Sequence, residues 1–486
     1  MNEDTLTTMQ KAFAFNMDLN TYGTIAEIGA GQEVSRCFFL AGGAAGTIAK
    51  TISAYDMAFS DAIYGEEENK RYVTESRVKK MLDKEFRLVL QRVSNARPKT
   101  STYFAFADTV TARSYSQRGE CHGWMGIKLQ LAPGAEPCEI LLHVRLLDES
   151  HGLQQEAVGI LGVNLIYGAF QYHSAPEKLI RSLRDNLDWG RLEVDLIRFT
   201  GPFFSDIDNR LMALKLVEMD LSDAVVFGED RKTLVHPSEL FHNRDVLLMR
   251  SMFKPITNVG VDMMTSGMEI FKRIPEVNTD TAMIAPEISV AEMRSQDAFD
   301  MQDILDRVDC LNLLSYPVIV SNYLRYFRLS DYLERYTNGK IAFVLGIPNL
   351  KALFDDAFYE GLKGGILGAF AALFDRDTRL FVYPMRPDGH GDDIVTSDNF
   401  PVPEHLKHFY RHLQANHRIL PVEKYNQANM RIWPEEVLRQ IEKGPGQWEQ
   451  AVPEKVAREI ISRSMFGYCD IGVDPNRANG AAPTTK

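Results

Sequence analysis

The stretch Tyr22–Asp61, YGTIAEIGAGQEVSRCFFLAGGAAGTIAKTISAYDMAFSD, sets Gly23, Gly29, Gly31, Gly42, Gly43 and Gly46 among residues that otherwise favour strand or helix. Glycine at that density marks a chain that turns sharply or approaches something closely. Thr24–Ile28 predicts a short strand, and Gly29-Ala30-Gly31 turns it into a helix starting near Gln32. That is the strand, glycine turn and helix order of a nucleotide-binding unit, in which the amides at the helix start face an anion. Glu27, Gly29 and Gly31 are therefore cofactor-binding candidates. Val34 stands where the third glycine of a dinucleotide fingerprint would fall, and the competing reading is that these glycines serve close packing.

Further along, Gly42-Gly43-Ala44-Ala45-Gly46-Thr47 precedes Lys50-Thr51. The lysine comes too late after the last glycine for a Walker A phosphate loop. Gly43 and Gly46 still join the cofactor-binding candidates. Thr47–Tyr55 predicts a helix with Lys50 and Ser53 one turn apart on one face, and Lys50 and Asp56 are catalytic candidates beside a phosphate or carbonyl. The plainer reading is a capped helix with a solvated lysine.

The chain is 486 residues long, with a formal net charge of -12, 45% hydrophobic and 25% charged residues. This length accommodates more than one core. A net negative field without a Lys/Arg block argues against nucleic acid as a partner. Cys37, Cys121, Cys138, Cys310 and Cys469 are widely spaced and form no Cys-x-x-Cys pair, so neither a zinc ribbon nor a disulfide framework is expected. The acidic N-terminus lacks the pattern of a secretory signal, and no run reaches the ~20 apolar residues of a membrane helix. The expectation is a cytoplasmic protein with no membrane partner and a small-molecule ligand; nothing indicates its oligomeric state.

In order, Val73–Val93 reads as an amphipathic helix, and Thr102–Asp108, Trp124–Leu131 and Glu139–Leu146 as a small sheet, followed by a long helix over Leu153–Tyr172. Cys121 and His122 are neighbours on a strand and point to opposite faces, which reads as structural. His143 and Arg145 share a face, an anchor for an acidic ligand or simply an exposed sheet face. After Leu187 strands alternate with helices, at Arg191–Phe199, Asp223–Phe227, Asp245–Arg250, Met283–Ile288, Val318–Ser321, Lys340–Leu345 and Leu380–Tyr383. In parallel α/β sheets chemistry sits past the strands' C-terminal ends. Asp208, Asn209 and Arg210, and Ser321, Asn322 and Tyr323, are thereby substrate-binding candidates, and Glu287 a third catalytic one; Lys254 and Thr257 follow another strand. Helix caps favour many of the same residue types. His405, His408 and His412 share a helical face, and His390 lies among aspartates without a metal-ligand spacing.

The expected fold is mixed α/β and α+β: an α+β portion over 1–187 with the glycine-rich segment, an α/β portion over 188–400 that is layered or barrel-like, a helical extension over 401–470, and a disordered tail over 471–486.

Several blocks together, YGTIAEIGAGQEVSRCFF, CHGWMGIKLQ, GILGVNLIYGAF, DNRLMALKLV, VSNYLRYFRLSDYLERYT and RLFVYP among them, resemble a poorly characterised bacterial family. Its members are often labelled nicotinate-nucleotide adenylyltransferase or TonB-dependent receptor. The first label implies nucleotidyl transfer through a His-x-Gly-His motif, which is absent from this sequence; the second implies a signal sequence and membrane strands, which are absent as well. Glu27-Ile-Gly-Ala-Gly31 also looks like the first motif of class I methyltransferases, with Glu33 in place of a further glycine. The expected function is an intracellular enzyme acting on a nucleotide or other phosphorylated small molecule, with a nucleotide and a divalent cation as the cofactors such a site would take. The alternatives are an S-adenosylmethionine-dependent methyltransferase and a non-catalytic scaffold or regulatory protein.

Overall fold

The computed structural model describes residues 5–67, 70–113, 120–295, 299–387 and 393–469. His390 and the tail beyond 469 lie outside the described residues. The chain divides into two compact units, residues 1–225 and 226–486.

The first unit runs α1 (Thr8–Asn16), β1 (Thr21–Ile28), α2 (Glu33–Ala41), β2 (Ile48–Ile52), α3 (Met57–Tyr64), α4 (Glu75–Val93), β3 (Thr102–Thr111), β4 (His122–Leu129), β5 (Cys138–Leu146), α5 (His151–Gln171), α6 (Pro176–Ser182), β6 (Leu192–Thr200) and α7 (Asn209–Glu218). Its sheet has the order β2-β1-β3-β4-β5-β6. β1 runs parallel to β2 and β3, and the remaining pairs are antiparallel. Alternation along the strands loads both faces. Ala26, Ala105, Ala107 and Leu141 meet the Val78, Met81, Leu82 and Phe86 stripe of α4, whereas Ile25, Phe104, Phe106 and Leu142 share a core with residues of α1, α2 and α5. Small residues let α5 press onto α2: a Cβ on Gly162 would lie 2.3 Å from Val34 Cγ2.

The second unit's sheet begins with β7 (Ala224–Phe227) and continues α8 (Pro237–Leu240), β8 (Val246–Arg250), α9 (Asn258–Phe271), β9 (Met283–Ser289), α10 (Val290–Ser295), α11 (Met301–Asn312), β10 (Val318–Ser321), α12 (Tyr326–Glu334), β11 (Ile341–Gly346), α13 (Ile347–Leu353), α14 (Gly365–Leu373), β12 (Arg379–Tyr383), α15 (Lys407–Ala415), β13 (Ile419–Pro421), α16 (Pro434–Ile441) and α17 (Glu454–Arg463). The strand order is β13-β12-β11-β8-β9-β10-β7. β8 to β13 pair in parallel throughout. From β8 the chain builds outward through β9 and β10 on one side, then returns beside β8 and builds through β11, β12 and β13 on the other. This is an open doubly wound sheet whose direction of growth switches between β8 and β11. It is layered, and it does not close into a barrel.

Three expectations change. Residues 48–52 form the edge strand β2 and not a helix, because β-branched Ile48, Thr51 and Ile52 pair alongside β1. The strand over Leu192–Thr200 pairs with β5 in the first sheet, so the boundary expected at 187/188 falls at 225/226. The segment from 401 is no separate extension: β13 completes the second sheet beside β12, and Arg463 of α17 bonds Asp306 at 2.9 Å and Asp309 at 2.6 Å on α11.

A matched pair of substitutions on α5 tests the packing. Gly162→Ala should cost about 1–3 kcal/mol, because the new Cβ has no room against Val34. Gly152→Ala, with nothing within 4 Å of its Cβ, should gain about 0.4–1 kcal/mol. Urea denaturation midpoints moving in opposite directions would bear this out, and equal shifts would contradict it.

Candidate functional site

The glycine turn of the first unit is satisfied from within. Gly29 has φ +101° and its backbone lies so close to β3 that a Cβ would sit 1.8 Å from the Val110 carbonyl oxygen. Gly31 has φ +87°. The turn carries the chain back over β1, and the Glu27 carboxylate, at 2% exposure, occupies the start of α2. Oε1 accepts from the Val34 amide at 2.9 Å, and Oε2 accepts from the Ser35 amide at 3.0 Å and from the Ser35 hydroxyl. The anion expected at this helix start is thus Glu27 itself, which caps the helix and complements its dipole.

Asp108 sits in register with Glu27 on the neighbouring parallel strand β3, with no exposure. Its Oδ1 accepts from the Ile28 amide at 3.3 Å, and its Oδ2 has no hydrogen-bond partner. Burial, and then the Glu27 charge, hold the Asp108 carboxyl well above the usual carboxylate range. Burial also raises Glu27, against its hydrogen bonds to Ser35 and Val34. Of the two, Asp108 makes fewer hydrogen bonds to its carboxylate, so the paired burial favours protonation there.

The other candidates of the first unit have structural partners. Lys50 lies on β2 and pairs with the buried carboxylate of Glu85. Asp56 caps α3, accepting from the Phe59 amide at 2.8 Å. Gly43, at φ +78°, lies against Met17, and Gly46 lies against Leu19, so that loop packs on apolar side chains. Asp208 caps α7 by accepting from the Arg210 amide at 2.8 Å, and Asn209 clamps the Phe199 backbone with bonds of 2.7 and 3.0 Å. Arg210 follows on the first turn of α7. His143 and Arg145 are buried, not on an exposed face: His143 bonds Asp195 and Arg145 pairs with Glu193.

In the second unit the structure does bring sequence-predicted residues together. Glu287 lies two residues before the end of β9 with no exposure, and Ser321 ends the adjacent β10. The Ser321 hydroxyl donates to Glu287 Oε1 at 2.5 Å, and the Tyr323 amide donates to Ser321 Oγ at 3.2 Å. Asn322 lies between them in the chain, and the Tyr323 carbonyl accepts from Ser289 Oγ at 3.1 Å. The partner that sequence reasoning missed is Arg250, at the end of β8. It grips Glu287 through Nε at 2.6 Å and Nη2 at 3.0 Å, and donates to the Leu324 carbonyl at 2.7 Å. Burial works against the Arg250 charge and the Glu287 carboxylate outweighs it, leaving the pKa raised. Breaking such a pair strands a buried charge at about 3–5 kcal/mol.

Beside this pair, at the point between β8 and β11 where strand growth reverses, lies a cavity of about 610 Å³. Its volume falls in the ~300–1,000 Å³ range of small-molecule sites, and its place is where open parallel sheets bind ligands. Residues after β8, β11 and β12 form its floor, the start of α9 one wall, and Met430, Ile432 and Trp433 another. Met249, Met252, Met263, Met385 and Met430 make much of the lining adaptable. Phe253, buried in the loop after β8, holds φ +46°, a left-handed conformation unfavourable for a bulky residue and retained here at the cavity's edge.

Arg307 of α11 reaches this wall with no exposure. It donates from Nη1 to the Met252 carbonyl at 2.9 Å and pairs through Nη2 with Asp303, while its Nε has no partner. Lys254 bonds the same Asp303 at 2.9 Å. Two cations share the Asp303 carboxylate beside the first turn of α9, whose Thr257 makes no side-chain cap. Glu292 lines the cavity too, its pKa raised by burial against the pull of Arg250. The arrangement can hold an anion at the α9 end and an apolar body against the methionines, with the Glu292 carboxyl nearby. The sequence did hint at Arg307, a charge three residues after Ile304 on the apolar stripe of α11.

No protein-family model matches the chain, and no curated protein matches it. Solved structures similar to part of it include a competence-damaged protein (CinA) superfamily protein from Enterobacter cloacae, at 13% identity and TM-score 0.27, covering 35% of this chain and 96% of that one. The competence/damage inducible protein CihA from Agrobacterium tumefaciens gives 15% identity and TM-score 0.26, covering 34% and 96%. A CinA superfamily protein from Klebsiella pneumoniae gives 8% and 0.25, covering 34% and 98%. Nothing among them supports the adenylyltransferase label. Among the described residues no helix is long and apolar enough to cross a membrane.

The buried carboxyl pair predicts a pH dependence. A carboxyl whose pKa is higher folded than unfolded takes up a proton on folding, so its contribution is full at low pH and is lost as pH rises from the unfolded value, about 3.9, toward the folded one. Asp108→Asn should therefore leave stability flatter between pH 4 and 8 and raise it at the upper end, read from melting temperatures across that range. A variant with an unchanged pH profile would contradict the raised pKa of Asp108.

Proposed function

We propose that this protein is an enzyme acting on a phosphorylated small molecule of nucleotide size, bound in the cavity of the second unit. The observation that carries the reading is the fully buried Arg307, its Nε without a partner, on the wall of a cavity at the switch point of a doubly wound sheet. An unsatisfied buried guanidinium costs stability, and its positive charge behind the wall favours an anion in the cavity beside it. Lys254 and the α9 start favour the same charge at the same end. Trp433 and the methionine side chains suit a flat apolar group such as a nucleobase. Glu292 is the group placed to donate or accept a proton.

The expected nucleotide site at the Glu27–Gly31 turn is not part of this reading, nor is a methyltransferase built on that turn, because the Glu27 carboxylate holds the amides an anion would need. Lys50 likewise pairs with Glu85 of α4, and Asp56 and Asp208 cap the helices they precede.

Thermal-shift screening of the full chain with nucleoside mono-, di- and triphosphates, sugar phosphates and inorganic phosphate tests the proposal. A ligand at about a hundred times its dissociation constant should stabilise the fold by roughly 2.7 kcal/mol. The shift should be lost in Arg307→Met and reduced in Lys254→Ala, and kept in Lys50→Ala. No shift with any phosphorylated compound, or a shift indifferent to Arg307 and Lys254, would contradict the reading and favour a non-catalytic scaffold.

A further inference from the structure

The first unit holds a second arrangement with chemistry of its own. His122 opens β4, and His143 lies diagonally across on β5, where Trp124 is its direct neighbour. His122 Nδ1 and His143 Nε2 are 3.1 Å apart, with ring centroids at 5.2 Å. The other nitrogen of His143, Nδ1, lies 2.5 Å from Asp195 Oδ1. His143 and Asp195 are buried, at 1% and 7% exposure.

The register explains how Asp195 comes to face His143. His143 pairs with Leu196 and Val144 with Val194, so Asp195 is the extra residue of a bulge in β6. A bulge re-aims one side chain, and bulges recur beside functional sites. Here it delivers a carboxylate to Nδ1, which fixes the proton there and leaves the Nε2 lone pair directed at His122. The Trp124 ring, 5.0 Å from that of His143, holds the imidazole in place. The nearby Arg145 is balanced by Glu193 and by Glu120 at 3.2 Å, so its charge does not bar a cation.

We propose that His122 and His143 are ligands of a divalent transition metal ion of the zinc type, and that Asp195 is the positioning residue that orients His143. A carboxylate on the far nitrogen is the usual outer partner of a metal-bound histidine. With the rings turned off the line that joins them, an ion about 2.05 Å from both nitrogens, set 3.1 Å apart, would see them at an angle of about 98°, between octahedral and tetrahedral values. Neutral imidazole pairs suit zinc, nickel and copper, not calcium or magnesium.

Equilibrium dialysis of the full chain against zinc chloride, with cobalt(II) absorption as a second readout, tests this. All proteins carry His412→Asn, because His408 and His412 stand one turn apart on the exposed face of α15 and would bind zinc themselves. One equivalent of zinc is expected, bound at least tenfold more weakly by His122→Gln and ten- to a hundredfold more weakly by Asp195→Asn. His122 opens its strand and is only half-buried, so His122→Gln keeps the test open should Asp195→Asn fail to fold. Absence of zinc binding in the background protein, or affinity that His122→Gln leaves unchanged, overturns the proposal.

Discussion

The Arg250–Glu287 pair is the interaction on which the second unit depends. It joins the ends of β8 and β9, and through Ser321 it reaches β10, so three neighbouring strands are tied where their C-terminal edge would otherwise splay. A buried ion pair rarely adds much net stability, but it tolerates one geometry only. That geometry keeps the loop after β8 in place, and with it Met252, whose carbonyl holds Arg307, and Lys254, which shares Asp303 with it. The cavity at the reversal of strand order is the space this arrangement leaves beside it.

The two units offer two anion sites that look alike on paper and differ in one respect. Both place the start of a helix after a parallel strand. In the first unit Glu27 already supplies the anion, under a turn that only glycine can make at φ +101°. In the second unit Arg307 and Lys254 share one carboxylate near α9, and a guanidinium nitrogen is left without an acceptor. The α2 start has its anion built in, whereas at α9 Thr257 makes no side-chain cap and the Asn258 amide donates to the Ala451 carbonyl.

Most elements were legible from alternation and helical periodicity. The strands at 102–108, 245–250, 283–288, 340–345 and 380–383 and the helix over 75–93 follow from those patterns, and so does the grouping of Glu287 with Ser321 at adjacent strand ends. Residues 48–52 misled because Lys50 and alanine favour a helix locally, while pairing with β1 decides for a strand. The Glu27–Gly31 turn misled differently: its glycines do mark a close approach, but to the Val110 backbone and not to a ligand. Arg250 escaped notice as the last residue of an apolar strand, and Asp195 could not be matched to His143 without a bulge that no local pattern announces.

The most direct measurement of the central claim is hydrogen–deuterium exchange of the full chain with and without a phosphorylated ligand that stabilises it. The account predicts slower exchange in peptides covering 249–260 and 346–349, with 27–35 unchanged. Protection confined to 27–35, with the switch-point loops unaffected, would contradict it.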